Sequence, residues 1–246
     1  MTTTPTPSDD ATHDPPGEHF EAPELFAEIP EPFRDAYDPA APWALLGEPL
    51  DAVLGAIGSS AVEIPMTPDF HLMGDGIAIG AGTRVMPGVV IVGPAWIGRD
   101  VEIRPGAFIR SGCWIGDGCT VGASTEIKHS ILFPGAAAPH LNYVGDSVVG
   151  RDANLGAGTV LSNFRHDGKN IQLPLPGGGR LDTGRRKFGA VLGDGVLTGC
   201  NSVLHPGCVV GRESQVYPGL MLRSGVYGAR RMLKLRQEID DKAITP

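Results

Sequence analysis

The sequence predicts an all-β solenoid, in which the chain winds into stacked triangular coils of short parallel strands. The first observation is a six-residue period that starts at Met73 and reads MGDGIA, IGAGTR, VMPGVV, IVGPAW, IGRDVE, usually opening on an aliphatic residue. The second is composition, since 35 Gly and 22 Pro accompany only 6% aromatic residues. Three hexads make one triangular coil, with aliphatic side chains inside and Gly or Pro at the corners. We expect about seven such coils.

The predicted solenoid domain spans residues 73–227, and three other segments flank it. Residues 1–20 are rich in Thr, Pro and Asp, which predicts a disordered tail because little apolar surface can be buried. Residues 21–72 carry apolar residues at helical spacing interrupted by prolines, which predicts short N-terminal helices that form a cap or linker. Residues 228–246 are predicted to form a C-terminal helix or arm.

The hexad period is interrupted twice within the solenoid. Within residues 133–148 the aliphatic phase slips, because the spacing from Ile127 to Val149 is not a whole number of hexads. Residues 164–187 contain no hexad and have a Gly- and Pro-rich centre, which predicts an excursion from the solenoid. Loops that leave a rigid scaffold often carry binding and catalytic residues, so both interruptions are candidate functional segments.

Composition and charge argue against several classes of protein. The 28 Asp and Glu against 20 Lys and Arg give a net charge of −8, which disfavours nucleic-acid binding. The chain has no apolar run long enough to span a bilayer and no signal peptide, so we expect a cytoplasmic protein without membrane contact. There is no CxxC or His-x4-His motif, so we expect no metal site and four free thiols, Cys113, Cys119, Cys200 and Cys208.

Two cations are spaced by one coil. Arg110 and Lys128 are separated by three complete hexads, so a triangular solenoid stacks them about 5 Å apart on one face. Two like charges this close favour a bound anion, and the guanidinium fork suits a phosphate. The alternative is a pair of solvated surface cations, and the spacing alone leaves both interpretations open.

His140 and Tyr143 lie in the first interruption. A histidine there can act as a general base at neutral pH. A single loop histidine can equally be incidental, and this sequence contains 7 histidines. Position alone therefore does not assign His140 a role.

Three motifs around these residues form a longer pattern, namely EIK at 126–128, HLNYVGD at 140–146 and NLGAGTVLSN at 154–163. The pattern resembles the acetyltransferase domain of the bacterial bifunctional glucosamine-1-phosphate acetyltransferase / N-acetylglucosamine-1-phosphate uridylyltransferase family, and related sugar-1-phosphate nucleotidylyltransferase C-terminal domains. The resemblance implies a left-handed parallel β-helix of hexapeptide repeats, with His140 as the base that deprotonates the amino group of the sugar. It also implies substrate-binding residues: Arg110 and Lys128 for the phosphate, Tyr143, Asn154 and Asn163 for the sugar, and Lys187, or by upstream spacing Lys169, for a further phosphate contact.

The same resemblance implies acetyl-CoA as the acyl donor, with no metal needed for acyl transfer. Ala157 matches the residue whose backbone N–H meets the thioester oxygen. The other donor-side positions depart from the family: Cys200 replaces a serine, Pro218 replaces a small residue, and Arg230, or Arg231, is a loose match for a late arginine. The acceptor side is therefore matched better than the donor side.

These observations predict a homotrimeric, CoA-dependent N-acetyltransferase. Its expected substrate is an amino-sugar 1-phosphate resembling glucosamine 1-phosphate, in nucleotide-sugar (UDP-N-acetylglucosamine) or cell-envelope synthesis. We expect no uridylyl transfer by this chain, because residues 1–72 are too few for a nucleotidylyltransferase domain. Two alternatives stay open: a non-catalytic sugar-phosphate or nucleotide-sugar binding trimer that scaffolds or regulates a separate nucleotidylyltransferase, and a sugar O-acyltransferase.

The expected site lies between subunits. A sugar phosphate and CoA need a cleft that buries much of their surface, whereas a coil offers a flat wall. Threefold packing of parallel prisms supplies seams, and we expect the excursion at 164–187 to reach across a seam and close over the anionic ligand with its basic end.

Overall fold

Hexads with an inward aliphatic residue give this protein three flat walls of parallel strands. The structure is a computed structural model that describes residues 22–175 and 178–236. It confirms the predicted fold class, since three parallel sheets wind around one apolar interior as a parallel β-helix. We call the walls the first, second and third face, in the order in which the chain visits them within each coil.

Each face is a stack of short strands, one from each coil. The first face contains β1 Ala61–Val62, β3 Ile77–Ile79, β6 Ala95–Ile97, β9 Cys113–Ile115, β12 Ile131–Leu132, β15 Val148–Val149, β20 Ala190–Leu192, β23 Cys208–Val210 and β26 Gly225–Tyr227. The second face contains β4 Arg84–Val85, β7 Glu102–Ile103, β10 Thr120–Ala123, β13 Ala137–His140, β16 Asn154–Leu155, β21 Leu197–Thr198, β24 Gln215–Val216 and β27 Met232–Leu233. The third face contains β2 His71–Met73, β5 Val90–Val92, β8 Phe108–Ile109, β11 Glu126–Lys128, β14 Tyr143–Gly145, β17 Val160–Leu161, β22 Val203–Leu204 and β25 Met221–Leu222.

The interior consists of aliphatic columns, because each hexad points one residue inward. On the third face Ile91, Ile109 and Ile127 lie directly above one another and are completely buried. Burying one such side chain contributes about 1.5–3 kcal/mol relative to leaving it exposed. The repeated columns therefore hold the coils in register and give the walls the rigidity that a binding site needs.

The first interruption does not leave the solenoid, contrary to expectation. Ile109 pairs with Ile127 across a full coil of three hexads, whereas Leu132 pairs with Val149 across a coil that is shorter by a single residue. The coil shortens at the corner between the third and first faces, where Ile127 to Leu132 and Val144 to Val149 each take five steps. Residues 133–148 therefore continue the walls through β13 and β14, so His140 lies on a strand and not on a loop.

The solenoid is longer at both ends than the predicted boundaries of 73 and 227. The first face holds nine strands and begins at β1, which pairs with β3. At the other end β27 pairs with β24, so the described part of the predicted C-terminal helix is a strand. An open coil presents unpaired backbone groups, and pairing them favours a further strand over a short helix. Residues 237–246 and the predicted disordered tail lie outside the described residues.

The N-terminal segment covers a side of the solenoid instead of capping its end. It contains two 3₁₀ helices, Glu31–Phe33 and Pro42–Leu46, and the α-helix α1, Glu48–Gly55. The outer side of the first face is apolar, and the segment buries it: the Phe33 ring packs edge-on against Trp114, with centroids 5.2 Å apart. The helical spacing therefore correctly predicted short helices, but the apolar face of those helices meets a wall and not an open end.

Residues 164–187 form the predicted excursion. They contain an antiparallel hairpin of β18 Gln172–Pro174 and β19 Arg180–Asp182. Ile171 and Leu173 are buried in the same apolar cluster as the first-face residue Val209. The hairpin therefore packs on its own chain, and the expectation that the excursion reaches across to another subunit stays a prediction.

The remaining expectations concern cysteines, metals and membranes. The cysteines are free, and burial raises the pKa of Cys113 to about 12, so this thiol stays protonated. In residues 22–175 and 178–236 no group of three or more His, Cys, Asp or Glu is placed to hold a metal ion. Within the same ranges no helix has the length and apolarity required to cross a bilayer.

Candidate functional site

A group of polar side chains gathers at the corner between the third and first faces. We call it the polar cluster, and it consists of Arg110, Glu126, Lys128, Tyr143, Asp146 and Asn163. These residues come from or follow β8, β11, β14 and β17, which stack directly on one another. Successive coils thus place side chains that are distant in sequence within hydrogen-bonding reach.

Arg110 and Lys128 stack as predicted, but each has a carboxylate partner. The Arg110 backbone N–H donates to the Ile127 carbonyl at 2.8 Å, which fixes the two cations in adjacent coils. The Arg110 Nη1 lies 2.9 Å from Glu126 Oε1, and the Lys128 Nζ lies 3.0 Å from Asp146 Oδ2. The corner is therefore neither a bare cation pair nor a pair of solvated cations. It holds two positive and two negative charges in one compact arrangement.

Asp146 is the centre of the polar cluster. Its side chain is nearly buried, and its φ of 44° is a left-handed conformation that a non-glycine residue rarely adopts. The Asn163 amide donates to Oδ2, and the His129 Nδ1 lies 3.1 Å from Oδ1. Burial alone raises the pKa of Asp146, but contacts with His129, Lys128 and Asn163 outweigh it and lower the pKa below the ordinary value. Asp146 is thus a charged anchor for Lys128 and Asn163.

Tyr143 and Asn163 meet over a glycine. The Tyr143 hydroxyl lies 3.5 Å from Asn163 Oδ1. A Cβ at Gly145 would stand 2.7 Å from the Asn163 Nδ2 and 2.8 Å from the Tyr143 hydroxyl. Burial, and then the nearby carboxylates of Glu126 and Asp146, raise the pKa of Tyr143, so it remains a neutral donor. The glycine of HLNYVGD is therefore required for the two side chains to approach.

His140 ends β13 at the corner between the second and third faces, with its side chain exposed. Its backbone N–H donates to the Asn142 Oδ1 at 3.0 Å, and the buried Asn142 side chain also donates to the Gly156 carbonyl at 2.8 Å. The next residue, Leu141, has a φ of 51°. The backbone of this corner is thus firmly held, while the imidazole has no hydrogen-bond partner within residues 22–175 and 178–236 and is free to meet a ligand.

Four of the predicted site residues form one line along this corner. We call the line the corner column, and its members are His140, Ala157, Cys200 and Pro218. Adjacent coils are linked here by backbone hydrogen bonds from Gly158 to His140 (3.0 Å), Asn201 to Ala157 (2.8 Å) and Gly219 to Cys200 (2.9 Å). The alignment agrees with the roles that the family resemblance implies.

The corner column occupies a turn position that favours proline in other coils. Pro87, Pro105 and Pro218 stand there, each followed by a glycine with positive φ. Since proline lacks an N–H, this position needs no backbone donor for folding. Among the described residues the Ala157 N–H has no acceptor, so it is available to a ligand.

Three predicted residues lie apart from both groups. Asn154 is exposed on the second face and makes no side-chain contact with the polar cluster. Lys169 is exposed near the start of the excursion, and only its backbone N–H is engaged, with Asp167. Arg230 lies at the third corner, between the first and second faces, where Glu24 (2.8 Å) and Glu213 (3.0 Å) hold its guanidinium. Within this chain Arg230 therefore lies apart from the other predicted donor-side residues, and its role stays a prediction.

Lys187 is the better placed of the two candidate lysines. It lines a cavity of about 610 Å³ together with Asp146, Phe164, Arg185 and Arg186. Three consecutive cations of the excursion, Arg185, Arg186 and Lys187, thus face the polar cluster, and we call them the basic arm. The Arg185 Nη2 donates to the Leu46 carbonyl at 3.1 Å, which ties the arm to the N-terminal segment.

Sequence reasoning missed Asp146, Glu126 and Asn142 as site residues. Asp146 and Asn142 stand in the HLNYVGD motif, and Glu126 opens EIK, so the motifs themselves contained the signal. Asp146 follows Lys128 by 18 residues, the same spacing that stacks Arg110 and Lys128, so the hexad period itself pointed to this pair. Glu126 follows Arg110 by 16 residues, so hexad spacing does not indicate that contact.

Comparison with known proteins gives the chain a family. The profile of the GMPPB C-terminal domain matches residues 91–226. The bifunctional sugar-1-phosphate nucleotidylyltransferase/acetyltransferase of Sulfurisphaera tokodaii is 40% identical over 125 residues, which cover 50% of this chain and 31% of that protein. The bifunctional protein GlmU of a Synechococcus species is 31% identical over 194 residues, which cover 73% of this chain and 38% of that protein. The chain thus spans about a third of the length of these relatives.

Two solved structures are similar at low identity. A putative acetyltransferase from Bacillus cereus is 17% identical, with coverage of 65% of this chain and 70% of that chain and a TM-score of 0.34. A mutant of GDP-perosamine N-acetyl transferase from Caulobacter crescentus, in complex with CoA and GDP-perosamine, is 23% identical, with coverage of 65% and 48% and a TM-score of 0.21. The sequence relatives confirm the resemblance inferred from EIK, HLNYVGD and NLGAGTVLSN. Because the matched profile covers more than half of the chain, this protein belongs to the family of the GMPPB C-terminal domain.

Proposed function

We propose that this protein is a CoA-dependent N-acetyltransferase that acetylates the amino group of an amino-sugar 1-phosphate, with glucosamine 1-phosphate as the reference substrate. The supporting observation is the third face. Its edge beside the second face carries an unpaired imidazole, His140, and its edge beside the first face carries the polar cluster with Arg110 and Lys128. From His140 to Gly145 the extended chain spans at most about 18 Å, and the side chains at the two edges can reach toward each other across this distance.

The chemistry requires one base and one oxyanion donor. His140 accepts a proton from the amino group as the nitrogen attacks the thioester carbonyl carbon. The Ala157 N–H donates to the oxygen of the tetrahedral intermediate. The intermediate then collapses, the C–S bond breaks, and the CoA thiolate takes the proton from His140. Positioned bases of this kind contribute about 10²- to 10⁴-fold to the rate.

The phosphate is attracted mainly by the basic arm. The four charged residues of the polar cluster cancel, so the cluster alone adds no net positive charge. Lys187 and its two neighbours supply the excess positive charge beside Asp146. Arg110 and Lys128 then provide directed donors, since each can exchange a carboxylate oxygen for a phosphate oxygen at a charge-assisted hydrogen-bond distance.

We further propose that the active protein is a homotrimer with the site in a seam. His140 is exposed, and the cavity beside the polar cluster is not lined by it. A sugar phosphate and acetyl-CoA need more enclosure than a flat wall provides, and a second wall packed against the third face supplies it. Sedimentation of the active species as a monomer would contradict this part of the proposal.

Departures from the family pattern at the positions expected to bind acetyl-CoA support a second candidate function. Pro218 has no N–H to offer, Cys200 replaces the family's serine, and Arg230 is held by two carboxylates. These departures favour a non-catalytic trimer that binds a sugar phosphate or nucleotide sugar and scaffolds or regulates a nucleotidylyltransferase.

Thiol release separates the candidates. The purified protein is incubated with acetyl-CoA and either glucosamine 1-phosphate, glucosamine or a non-amino sugar phosphate, and free CoA is followed. We expect turnover with glucosamine 1-phosphate and much less with glucosamine. Binding of the sugar phosphate without turnover supports the scaffold, and turnover only with the non-amino sugar indicates an O-acyltransferase.

A further inference from the structure

A positively charged site lies along the same corner as the polar cluster, in the coils that follow Asn163. Cavities of about 470 and 490 Å³ open there and share Arg165, His205 and Ser224. The second cavity is also lined by Arg180 and Arg223. We call the set Arg165, Arg180, His205 and Arg223 the basic groove. Its volume is in the range of small-molecule sites.

The basic groove repeats the stacking of Arg110 and Lys128 without their carboxylates. His205 and Arg223 occupy adjacent coils, since the strands that precede them pair and the His205 N–H donates to the Leu222 carbonyl at 2.9 Å. Asp167 is the acidic residue that lines the groove, and it pairs with Arg165 at 2.6 Å. Within residues 22–175 and 178–236, neither Arg180 nor Arg223 forms an ion pair. The groove therefore keeps a net positive charge that the polar cluster lacks.

One side of the basic groove belongs to a rigid element of the excursion, the hairpin of β18 and β19. Arg180 belongs to β19, where it pairs with Pro174 of β18. The hairpin is anchored by Leu173, which is completely buried against the solenoid. Cations held on a packed hairpin are preorganised, so a ligand does not have to order them.

The groove adjoins the polar cluster and contains none of its residues. Lys128, Gly145, Ser162 and His205 take successive positions along the corner, so His205 lies three coil spacings, about 14 Å, from Lys128 but only one spacing from the coil of Asn163. Phe164 stands between them, 44% exposed, and lines both the cavity of Asp146 and the cavity of His205. A flat exposed ring next to unpaired arginines is suited to a ligand with one planar and one anionic part.

We propose that the basic groove binds a nucleoside diphosphate, with the phosphates on Arg180 and Arg223 and the base against Phe164. This chemistry has two sources, a free nucleotide or nucleotide sugar and the adenosine diphosphate end of CoA. The binding does not depend on acetyl transfer by His140, so it stands or falls separately from the proposed enzymatic function.

Calorimetric titration of the full chain with UDP tests the proposal. We expect Arg180→Gln and Arg223→Gln each to weaken UDP binding about tenfold or more, as for the loss of a charge-assisted hydrogen bond. Arg99→Gln, at an exposed arginine on another corner, is the matched control and leaves the affinity unchanged. Phe164→Leu weakens UDP but not pyrophosphate, which has no base.

Parallel titrations with ADP and CoA identify the source. If Arg180→Gln weakens CoA as strongly as UDP and raises the KM for acetyl-CoA, the groove takes the nucleotide end of CoA. If CoA is unaffected, the groove takes a separate nucleotide. Absence of UDP and ADP binding, or equal nucleotide affinities of wild type, Arg180→Gln and Arg223→Gln, would overturn the proposal.

Discussion

The polar cluster and the corner column stand at opposite edges of the third face and are built from different chemical groups. The polar cluster depends on side chains, since Lys128 and Asn163 are both held by Asp146. The corner column, apart from the imidazole of His140, depends on backbone, because Ala157, Cys200 and Pro218 share a turn position that proline can occupy. A site built from side chains, such as the polar cluster, can therefore be recognised from its residue types. A site built from backbone groups accepts Ala, Cys or Pro and is hard to recognise in the sequence.

The largest expected effect is at the side chain that heads the corner column. We expect His140→Ala to lower kcat by about 10²- to 10⁴-fold, because a positioned base is lost. Its side chain is exposed and unpaired, so stability should not change. Steady-state kinetics of thiol release measure the effect, with the exposed His71→Ala as control. A near-normal kcat in folded His140→Ala protein would remove this residue from the mechanism.

A proline scan tests the backbone side of the comparison. Ala157→Pro removes one N–H at a turn position where other coils already hold proline, so the fold should tolerate it. We expect kcat to fall about 10²- to 10³-fold, as for loss of an oxyanion donor. Ala157→Ser keeps the N–H and serves as control. If the proline variant melts like wild type and retains full activity, the backbone donor has no catalytic role.

The phosphate contact gives a smaller and more selective effect. Arg110→Gln removes a charge from a partly exposed ion pair, so the fold should be unaffected. We expect binding of glucosamine 1-phosphate to weaken by about 1.5–3 kcal/mol, the range for a charge-assisted hydrogen bond, and binding of glucosamine to stay the same. Calorimetry with both ligands measures the difference. Equal losses for the two sugars would show that Arg110 contacts no phosphate.

The smallest expected effect is that of Asp146 on the free energy of unfolding and on how this free energy depends on pH. Its pKa is lowered in the folded state, so its contribution is present above the unfolded pKa, about 3.9 for aspartate, and is lost as pH falls through the lower folded value. We expect Asp146→Asn to cost about 1–3 kcal/mol at pH 7 and progressively less below pH about 4. Denaturant unfolding at several pH values measures this. Asp117→Asn, at an exposed carboxylate, is the control, and a cost for Asp146→Asn that does not change with pH would refute the role of its charge.

Most of the fold was predictable because each hexad by itself shows which residue points into the solenoid, namely its aliphatic residue. The end boundaries were less predictable, since the coils at Ala61 and Met232 lack clear hexads and are held by pairing with their neighbours. The placement of the N-terminal segment was not predictable either. Helical spacing identifies the apolar stripe of the N-terminal segment. It does not reveal that this stripe packs on the outer side of the first face, at Trp114.

Part of the candidate site was predictable from the hexad spacing. The stacking of Arg110 and Lys128 is confirmed, while the roles of these cations and of His140 stay predictions. Their carboxylate partners were not found: Asp146 does lie one full coil after Lys128, whereas the contact of Glu126 with Arg110 depends on side-chain direction, which hexad spacing does not give. Asn154 lies apart from the polar cluster within a single chain. Its proposed role in binding the sugar therefore requires the wall of a neighbouring subunit, which one sequence does not reveal.

The covered first face limits where a second copy of the chain could pack in the proposed trimer. The N-terminal segment and the hairpin occupy the outer side of this wall, while large apolar side chains stay exposed on the other two, such as Phe108 and Met221 on the third and Leu197 on the second. A second copy that approaches wall to wall therefore finds apolar surface on either side of the corner that holds His140. In the proposed trimer, the N-terminal segment would thus limit which edge of the prism a partner copy can enclose, although it makes no contact with His140 in the described structure.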